Sequence, residues 1–504
     1  MPGCDRVICG VVPFKSSELL SCSANSLLEH LGANRVTPTE IVSASLNRIE
    51  MLDRKGPNLG AVITRVEDPE SCLPATSGGA LFGLPVLLKD NIDTTAFATT
   101  GGSLALAGKP ANQNAGIVDA LCGLGAMVLG KTNLSEWSNM RGTHSSSGWS
   151  AVGGQCRNPF ALDRSPGGSS AGSAVAVAAG YVPVSFGTET DGSILCPAAL
   201  NGVVGFKPTL GVLPTSGVIP IAHSQDTVGI FARSVDDIEL VYSSLVRSLG
   251  KGQLFGGDFG RSYRQDFEQV ANLRFGVPRH GFFGYSPKTD AVFEAALSQL
   301  RGAGVKIVDN VDHLADCDFA LDEADELTVL HWEMYQDLGS YLAQRGVEGA
   351  KSLEDLVIFN KVNAHHELAL FGQEHFEAAI RISKELEKSY HLARCNNLQR
   401  AEIAILKALT LGQVDLLCVP TMGPSWLIDH VNGDAIGGSG YSVAAVAGVA
   451  SISIPIGETH GLPLGMTIFG GPNCDATLLA AAKFFEDVFS VSLVPRFAPT
   501  VLVT

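Results

Sequence analysis

The stretches LPVLLKDN (84–91), IVDALCGL (117–124) and AMVL (126–129) decide the fold. Pro85 to Leu88 is a short apolar run, which reads as a buried strand. Ile117 to Leu124 has helical spacing, and Ala126 to Leu129 reads as a strand again. Short apolar runs alternating with helical stretches argue an α/β layered fold. The alternation continues outward, with a small-residue helix from Ser170 to Ala179 and strands from Val182 to Phe186 and Val203 to Phe206. The Ala and Gly residues on that helix predict close packing.

Upstream, Thr37 and Pro38 with Ile41, Leu46, Ile49 and Leu52 read as a capped amphipathic helix that stops at Gly56. Downstream, Ser234 with Asp237 opens a helix through Leu245. Arg274 to Val277 and Val305 to Val308 read as strands around a helix near Asp290 to Leu300. Between about Leu321 and Leu411 long helical periodicity takes over, read as an insertion or cap over the sheet. Sheet patterning resumes at Val414 to Val419, Ser451 to Ile456 and Leu464 to Phe469, closed by a helix from Ala476 to Phe489. Residues 1–504 are therefore read as a single domain, with core motifs in 84–210, a helical region at about 321–411, and a C-terminal sheet and helix in 412–496.

The composition narrows the function. With 504 residues, 45% hydrophobic and 17% charged, the chain can bury a sizeable core. A net charge of −16 with no basic run argues against nucleic acid as a partner, because phosphate binding needs clustered Lys and Arg. The longest apolar stretches, Ala174 to Val184 and Tyr441 to Ile456, are too short or too broken to span a membrane. The N-terminus lacks a signal-peptide pattern, so a cytoplasmic location is expected. The 11 cysteines form no C-x-x-C pair, and Cys122, Cys196 and Cys418 inside apolar runs read as buried reduced thiols. The 12 histidines, among them His144, His223 and the His365-His366 pair, show no H-x-x-x-H spacing, so no metal site is expected.

Glycine is dense between Gly83 and Gly217, and the chemistry is sought there. Ser165-Pro-Gly-Gly-Ser169-Ser170-Ala-Gly-Ser173 joins a turn to a helix start. As a phosphate cradle it lacks the Walker lysine, and no G-x-G-x-x-G is present. Gly168-Ser-Ser170-Ala-Gly172 matches the G-x-S-x-G elbow, but that elbow needs a preceding strand. The text before it, RNPFALDR (157–164), is a loop, so Ser170 is not the expected nucleophile. Gly187-Thr-Glu-Thr190-Asp191-Gly192-Ser193 instead follows a strand, at the strand end where α/β proteins place ligands. Ser193 is the candidate nucleophile, and the N–H groups of Thr190, Asp191, Gly192 and Ser193 are candidate oxyanion donors. Its candidate base is Lys89, whose ammonium would be depressed in pKa at the end of an apolar run. Taken alone, a lysine there is more often a surface or ion-paired one.

Together these residues resemble a known pattern. Lys89, then PGGSS (166–170) with Gly172, GTETDGS (187–193), PAA (197–199) and GVVGFKPT (202–209) come in the order of the amidase signature family. KTNLSEW (131–137), SGW (147–149), GGQ (153–155), RNP (157–159), VNGD (431–434) and AAVAG (444–448) place it nearest the bacterial peptide amidase branch. The resemblance runs from roughly Thr37 to Arg496 and is weakest between Gly250 and Leu411. It implies a large central mixed β-sheet with helices on both faces. It also implies Ser193 as nucleophile, Ser169 as cis-peptide serine and proton relay, and Lys89 as base. The oxyanion donors fall on the backbone of Thr190 to Ser193, and Thr143 aligns with a substrate-contacting loop.

The implied reaction cleaves a carboxamide C–N bond through an acyl-enzyme, with no cofactor, on a peptide or small-molecule amide. The alternatives are a non-catalytic scaffold on the same fold and one component of a tRNA-dependent amidotransferase, and a homodimer is one assembly the resemblance allows. The commonest family form has glycine at Asp191, a departure shared with the peptide amidase branch, and often arginine at Leu195. The loss of that cation favours a neutral or apolar acyl group. The variable pocket is expected from 321–411 and from Trp426 to Tyr441.

Overall fold

A computed structural model describes residues 21–74, 78–251, 270, 272–311, 323–382 and 387–501. One mixed sheet of eleven strands organises them. The strands in chain order are β1 (Val62–Arg65), β2 (Pro85–Lys89), β3 (Met127–Thr132), the short hairpin β4 (Trp149–Ser150) and β5 (Gly154–Gln155), β6 (Val184–Glu189), β7 (Val204–Lys207), β8 (Thr227–Ala232), β9 (Arg274–Val277), β10 (Lys306–Asp309), β11 (Leu416–Pro420), β12 (Ser451–Thr459) and β13 (Leu462–Gly470). Outside the hairpin their spatial order is β1-β3-β2-β6-β8-β7-β12-β13-β11-β9-β10. β3, β2 and β6 are mutually parallel, as are β11, β9 and β10, and antiparallel pairs through β8, β7, β12 and β13 join the two groups.

Alternation along the strands feeds two helical layers, as period-2 side chains on a sheet buried on both faces must. Val86 and Leu88 of β2 enter one core and Leu87 enters another. Leu416 and Cys418 of β11 likewise part from Leu417 and Val419. The first core packs the helices Val235–Ser248, Pro287–Gly302 and Asp475–Phe489. On the opposite face lie Ala171–Ala178, Pro38–Ile49 and, further along the sheet, the long helix Glu387–Gly412. The small-residue helix does pack closely: a Cβ on Gly172 would lie 2.3 Å from the Ala61 carbonyl oxygen.

Most elements lie where the periodicity places them, with boundaries moved by a few residues. The capped helix begins at Pro38 with a full capping box between Thr37 and Glu40, and it continues past Ile49 as a π-turn to Arg54. β6 runs to Glu189, three residues beyond the expected Phe186, which carries Thr188 and Glu189 into the site. Two strands of the sheet escape the sequence reading, β1 and β8, as does the short hairpin of β4 and β5. β8 pairs antiparallel with both β6 and β7, so consecutive βαβ logic does not reach it. The helical region contains Glu323–Arg345, Leu353–Val362, Glu374–Ile382 and Glu387–Gly412, while 312–322 and 383–386 lie outside the described residues. Cys196 and Cys418 are buried, but Cys122 is exposed: its helix, Gly116–Gly123, turns Ile117, Val118 and Leu121 to the core and Cys122 away from it. No described helix is long and apolar enough to cross a membrane.

Candidate active site

Lys89 is the last residue of β2, at the carboxyl end of the parallel group. Its side chain is fully buried, and its Nζ donates to Thr188 Oγ1 at 2.9 Å and to Ser169 Oγ at 2.6 Å. The Ser169 hydroxyl in turn lies 2.8 Å from Ser193 Oγ, to which it donates. Three residues from separate segments thus form one hydrogen-bonded line ending on Ser193, which is 7% exposed while the other two are 0%. Hydroxyl protons rotate, so once the lysine is neutral the same line can run in the opposite sense, Ser193 to Ser169 to Lys89. Burial pushes the Lys89 ammonium down to about 7, opposed by the carboxylates of Asp226 and Glu189.

Ser169 sits just before the Ala171–Ala178 helix, joined to Gly168 by a cis peptide bond. Its carbonyl accepts from Ser135 N at 3.0 Å, and the Ser135 hydroxyl accepts from Gly148 N at 3.0 Å. Ser135 belongs to the KTNLSEW text, which explains a motif that the sequence alone leaves without a task. Lys131 of the same motif is buried, paired with Asp90 at 3.2 Å and donating to Ile92 O at 2.7 Å. It pins the chain just after β2.

Ser170 is a framework residue: its hydroxyl donates to Thr188 O at 3.0 Å and accepts from Thr188 N at 3.2 Å. Its own N–H donates to Ser193 O at 3.1 Å. The nucleophile turn is closed by Glu189, whose Oε2 accepts from Ile194 N at 2.7 Å and Leu195 N at 3.0 Å, capping the Leu195–Leu200 helix. Burial pushes that carboxyl up, while Lys207 and the turn's N–H groups pull it down. Lys207, from the GFKPT text, is itself buried and donates to Val449 O at 2.5 Å. Gly192 has φ +77° and a Cβ there would stand 2.3 Å from Tyr441 Cε2. No other residue type fits both the left-handed backbone and the aromatic ring.

Ser193 opens on a cavity of about 150 Å³. Thr190, Asp191 and Gly192 line it beside the nucleophile, with Ser138, Asn139, Ser147 and Gly168 on the polar side. Met140, Ile221, Leu330, Trp426, Ile436 and Tyr441 supply the apolar walls. Leu330 comes from the helical region and the last three from the loop after β11, so both expected pocket segments contribute. Asp434 ties that loop across the cavity mouth, accepting from Ser147 N at 3.0 Å, Ser147 Oγ at 2.5 Å and Trp426 Nε1 at 2.9 Å.

Thr143 is not among the lining residues. It is exposed, and its N–H donates to Glu374 at 3.1 Å. Leu195 is fully buried behind the turn, and Cys196 faces the cavity instead. Sequence reasoning missed Thr188, Asn91 and Asp226. Asn91 Nδ2 donates to the same Thr188 Oγ1 at 2.9 Å, and Asp226 accepts from Thr190 Oγ1 at 2.6 Å. Asn91 stands two residues after Lys89, the one available signal. His223 lies apart from this line, its Nδ1 2.8 Å from Asp337 and 3.4 Å from Glu333.

Comparison with known proteins identifies the family. The amidase family model matches residues 40–479. An indoleacetamide hydrolase of Pseudomonas syringae pv. syringae is 33% identical, over 82% of this chain and 87% of that one. One component of the glutamyl-tRNA(Gln) amidotransferase of Symbiobacterium thermophilum is 30% identical, over 90% of this chain and 94% of that one. The crystal structure of a peptide amidase from Stenotrophomonas maltophilia superimposes with a TM-score of 0.84 at 37% identity, covering 95% of this chain and 99% of that one. With the family model spanning most of its length and relatives of this identity along nearly all of it, the chain belongs to the amidase family and is an amide-hydrolysing enzyme.

Proposed function

We propose that the enzyme hydrolyses carboxamides through a Ser193–Ser169–Lys89 relay and an acyl-enzyme, taking C-terminal peptide amides or small-molecule amides whose acyl part carries no carboxylate. The observation that carries this reading is the continuous line from buried Lys89 through Ser169 to Ser193 at 2.6 and 2.8 Å, ending on a cavity. Neutral Lys89 draws the Ser193 proton through Ser169 as Ser193 Oγ attacks the carbonyl carbon. The N–H groups of the Thr190–Ser193 turn face the developing oxyanion. Collapse breaks the C–N bond, Ser169 passes the proton to the leaving nitrogen, and ammonia or an amine departs. Water then hydrolyses the Ser193 ester by the same relay, releasing the acid. None of these steps calls on a metal or an organic cofactor.

The substrate reading is supported by the likeness to the Stenotrophomonas peptide amidase and by the aromatic and aliphatic walls. A second reading, one component of a tRNA-dependent amidotransferase, is favoured by the 30% identity to the Symbiobacterium protein. Co-purification with partner proteins of such a complex would decide for it. The cytoplasmic location is retained as part of the proposal, in keeping with the absence of any disulfide among the described residues.

Intact mass after exposure to a fluorophosphonate tests the relay. Wild type gains one adduct, Ser193→Ala none, and Ser169→Ala and Lys89→Ala label at least about 10²-fold more slowly. Equal labelling of wild type and Ser193→Ala removes the nucleophile assignment.

A further inference from the structure

Asp191 carries the one carboxyl group among the residues lining the cavity, and no Lys, Arg or His stands there beside it. Its Oδ1 is shielded from solvent and has no hydrogen-bond partner among the described residues. The neighbouring cations are committed elsewhere, Lys207 to Val449 O and Glu189, and Lys89 to the relay. Two aromatic rings, Trp426 and Tyr441, line the same cavity, and Tyr441 lies against Gly192, the residue after Asp191. A carboxyl oxygen with a spare lone pair beside aromatic rings is an acceptor set suited to an ammonium group.

We propose that Asp191 is a specificity residue, recognising an ammonium carried by the acyl part of the amide and excluding acyl groups that bear a carboxylate. This deepens the proposed function, since it rests on the cavity being the acyl site. Glu326 strengthens the negative field from the helical region, one turn before the lining residue Leu330. Burial pushes the Asp191 carboxyl up, and Glu326 and Glu189 push it further against the smaller pulls of the Ser442 hydroxyl and Lys207, so a bound cation adds to the side the fold leaves weaker.

The test separates recognition from chemistry by measuring binding to Ser193→Ala calorimetrically. Three probes of similar size are used: N-acetyl-lysinamide, N-acetyl-norleucinamide and the α-amide of N-acetyl-glutamate. The lysine amide is expected to bind at least about tenfold more tightly than the norleucine amide, and the glutamate amide at least about tenfold more weakly. Adding Asp191→Asn brings the three within about threefold of one another, and adding Glu326→Gln weakens the lysine amide by about threefold or more. Equal binding of the three by Ser193→Ala overturns the inference, with no need for the second variants. So does an Asp191→Asn protein that loses all three in proportion, because Asp191 then only shapes the turn. Ordered binding without hydrolysis of any of the three by wild type supports the inference while removing the proposed catalytic reading.

Discussion

At the scale of single residues, Lys89 sets the pH behaviour. It is fully buried with a pKa of about 7, against an ordinary lysine value of about 10.4. Only the neutral form can act as base, so kcat/KM rises with pH up to about 7 and levels off above it. A flat profile between pH 6 and 8 would count against Lys89 as base. The same shift bears on stability. Between pH 7 and the ordinary lysine range the unfolded chain holds a proton that the folded one sheds, so this group's destabilising effect is largest at and below about pH 7 and fades as pH rises. Lys89→Met is therefore expected to lose activity by about 10²- to 10⁴-fold while melting at or above the wild-type temperature at pH 7, an advantage that shrinks towards pH 10. A lower Tm at both pH values would mean the lysine's hydrogen bonds outweigh its burial. Lys89, Ser169 and Ser193 could be named from the sequence because the order of their motifs resembles the amidase signature, although Lys89 alone reads more readily as an ordinary lysine; the structure brings the three within hydrogen-bond reach. Thr188 could not be named, since its hydroxyl matters only through Lys89 and Asn91, which lie 99 and 97 positions away in sequence.

Among the elements, the turn after β6 is the most exacting. Gly192→Ala places a Cβ at φ +77° and 2.3 Å from Tyr441, so the turn must rearrange. Fluorophosphonate labelling of Ser193 should slow by at least about 10²-fold, with stability lowered by about 1–3 kcal/mol in a urea melt. Normal labelling would show that the turn tolerates displacement and that its N–H groups need no fixed aim. Elements with strong local signals were readable, such as the Thr37 capping box and the Ser234 cap, because those signals lie within four residues of the helix start. β1 carries only four residues at the sheet edge, and β8 is an apolar run whose partners β6 and β7 come earlier in the chain. Nothing local distinguishes such runs from loops packed into a core.

At the scale of the whole molecule, buried polar links hold the helical region onto the sheet. Arg141 pairs with Glu136 at 2.8 Å, donates to Phe371 O at 3.3 Å and stacks 4.1 Å from the Phe371 ring centre. Glu367 accepts from Leu104 N at 2.7 Å, and Asp93 pairs with Arg345 at 3.1 Å. Arg141→Met strips the buried Glu136 of its cation, leaving it the Ala151 N–H, and should cost about 3–5 kcal/mol. Limited proteolysis would then cut within 345–375 first. A loss below about 1 kcal/mol would show that the apolar contacts alone hold the region. The sequence revealed this region as helical but not how it docks, because the anchoring partners are charged residues whose pairing depends on the tertiary fold.

The cavity is assembled from distant parts of the chain, with Ser193 on one side and Trp426, Ile436 and Tyr441 on the other. A ribosome adds about 5–20 residues per second, so the nucleophile leaves it roughly 12–50 s before the wall that faces it. During that interval the growing chain carries its nucleophile without the aromatic wall that will face it.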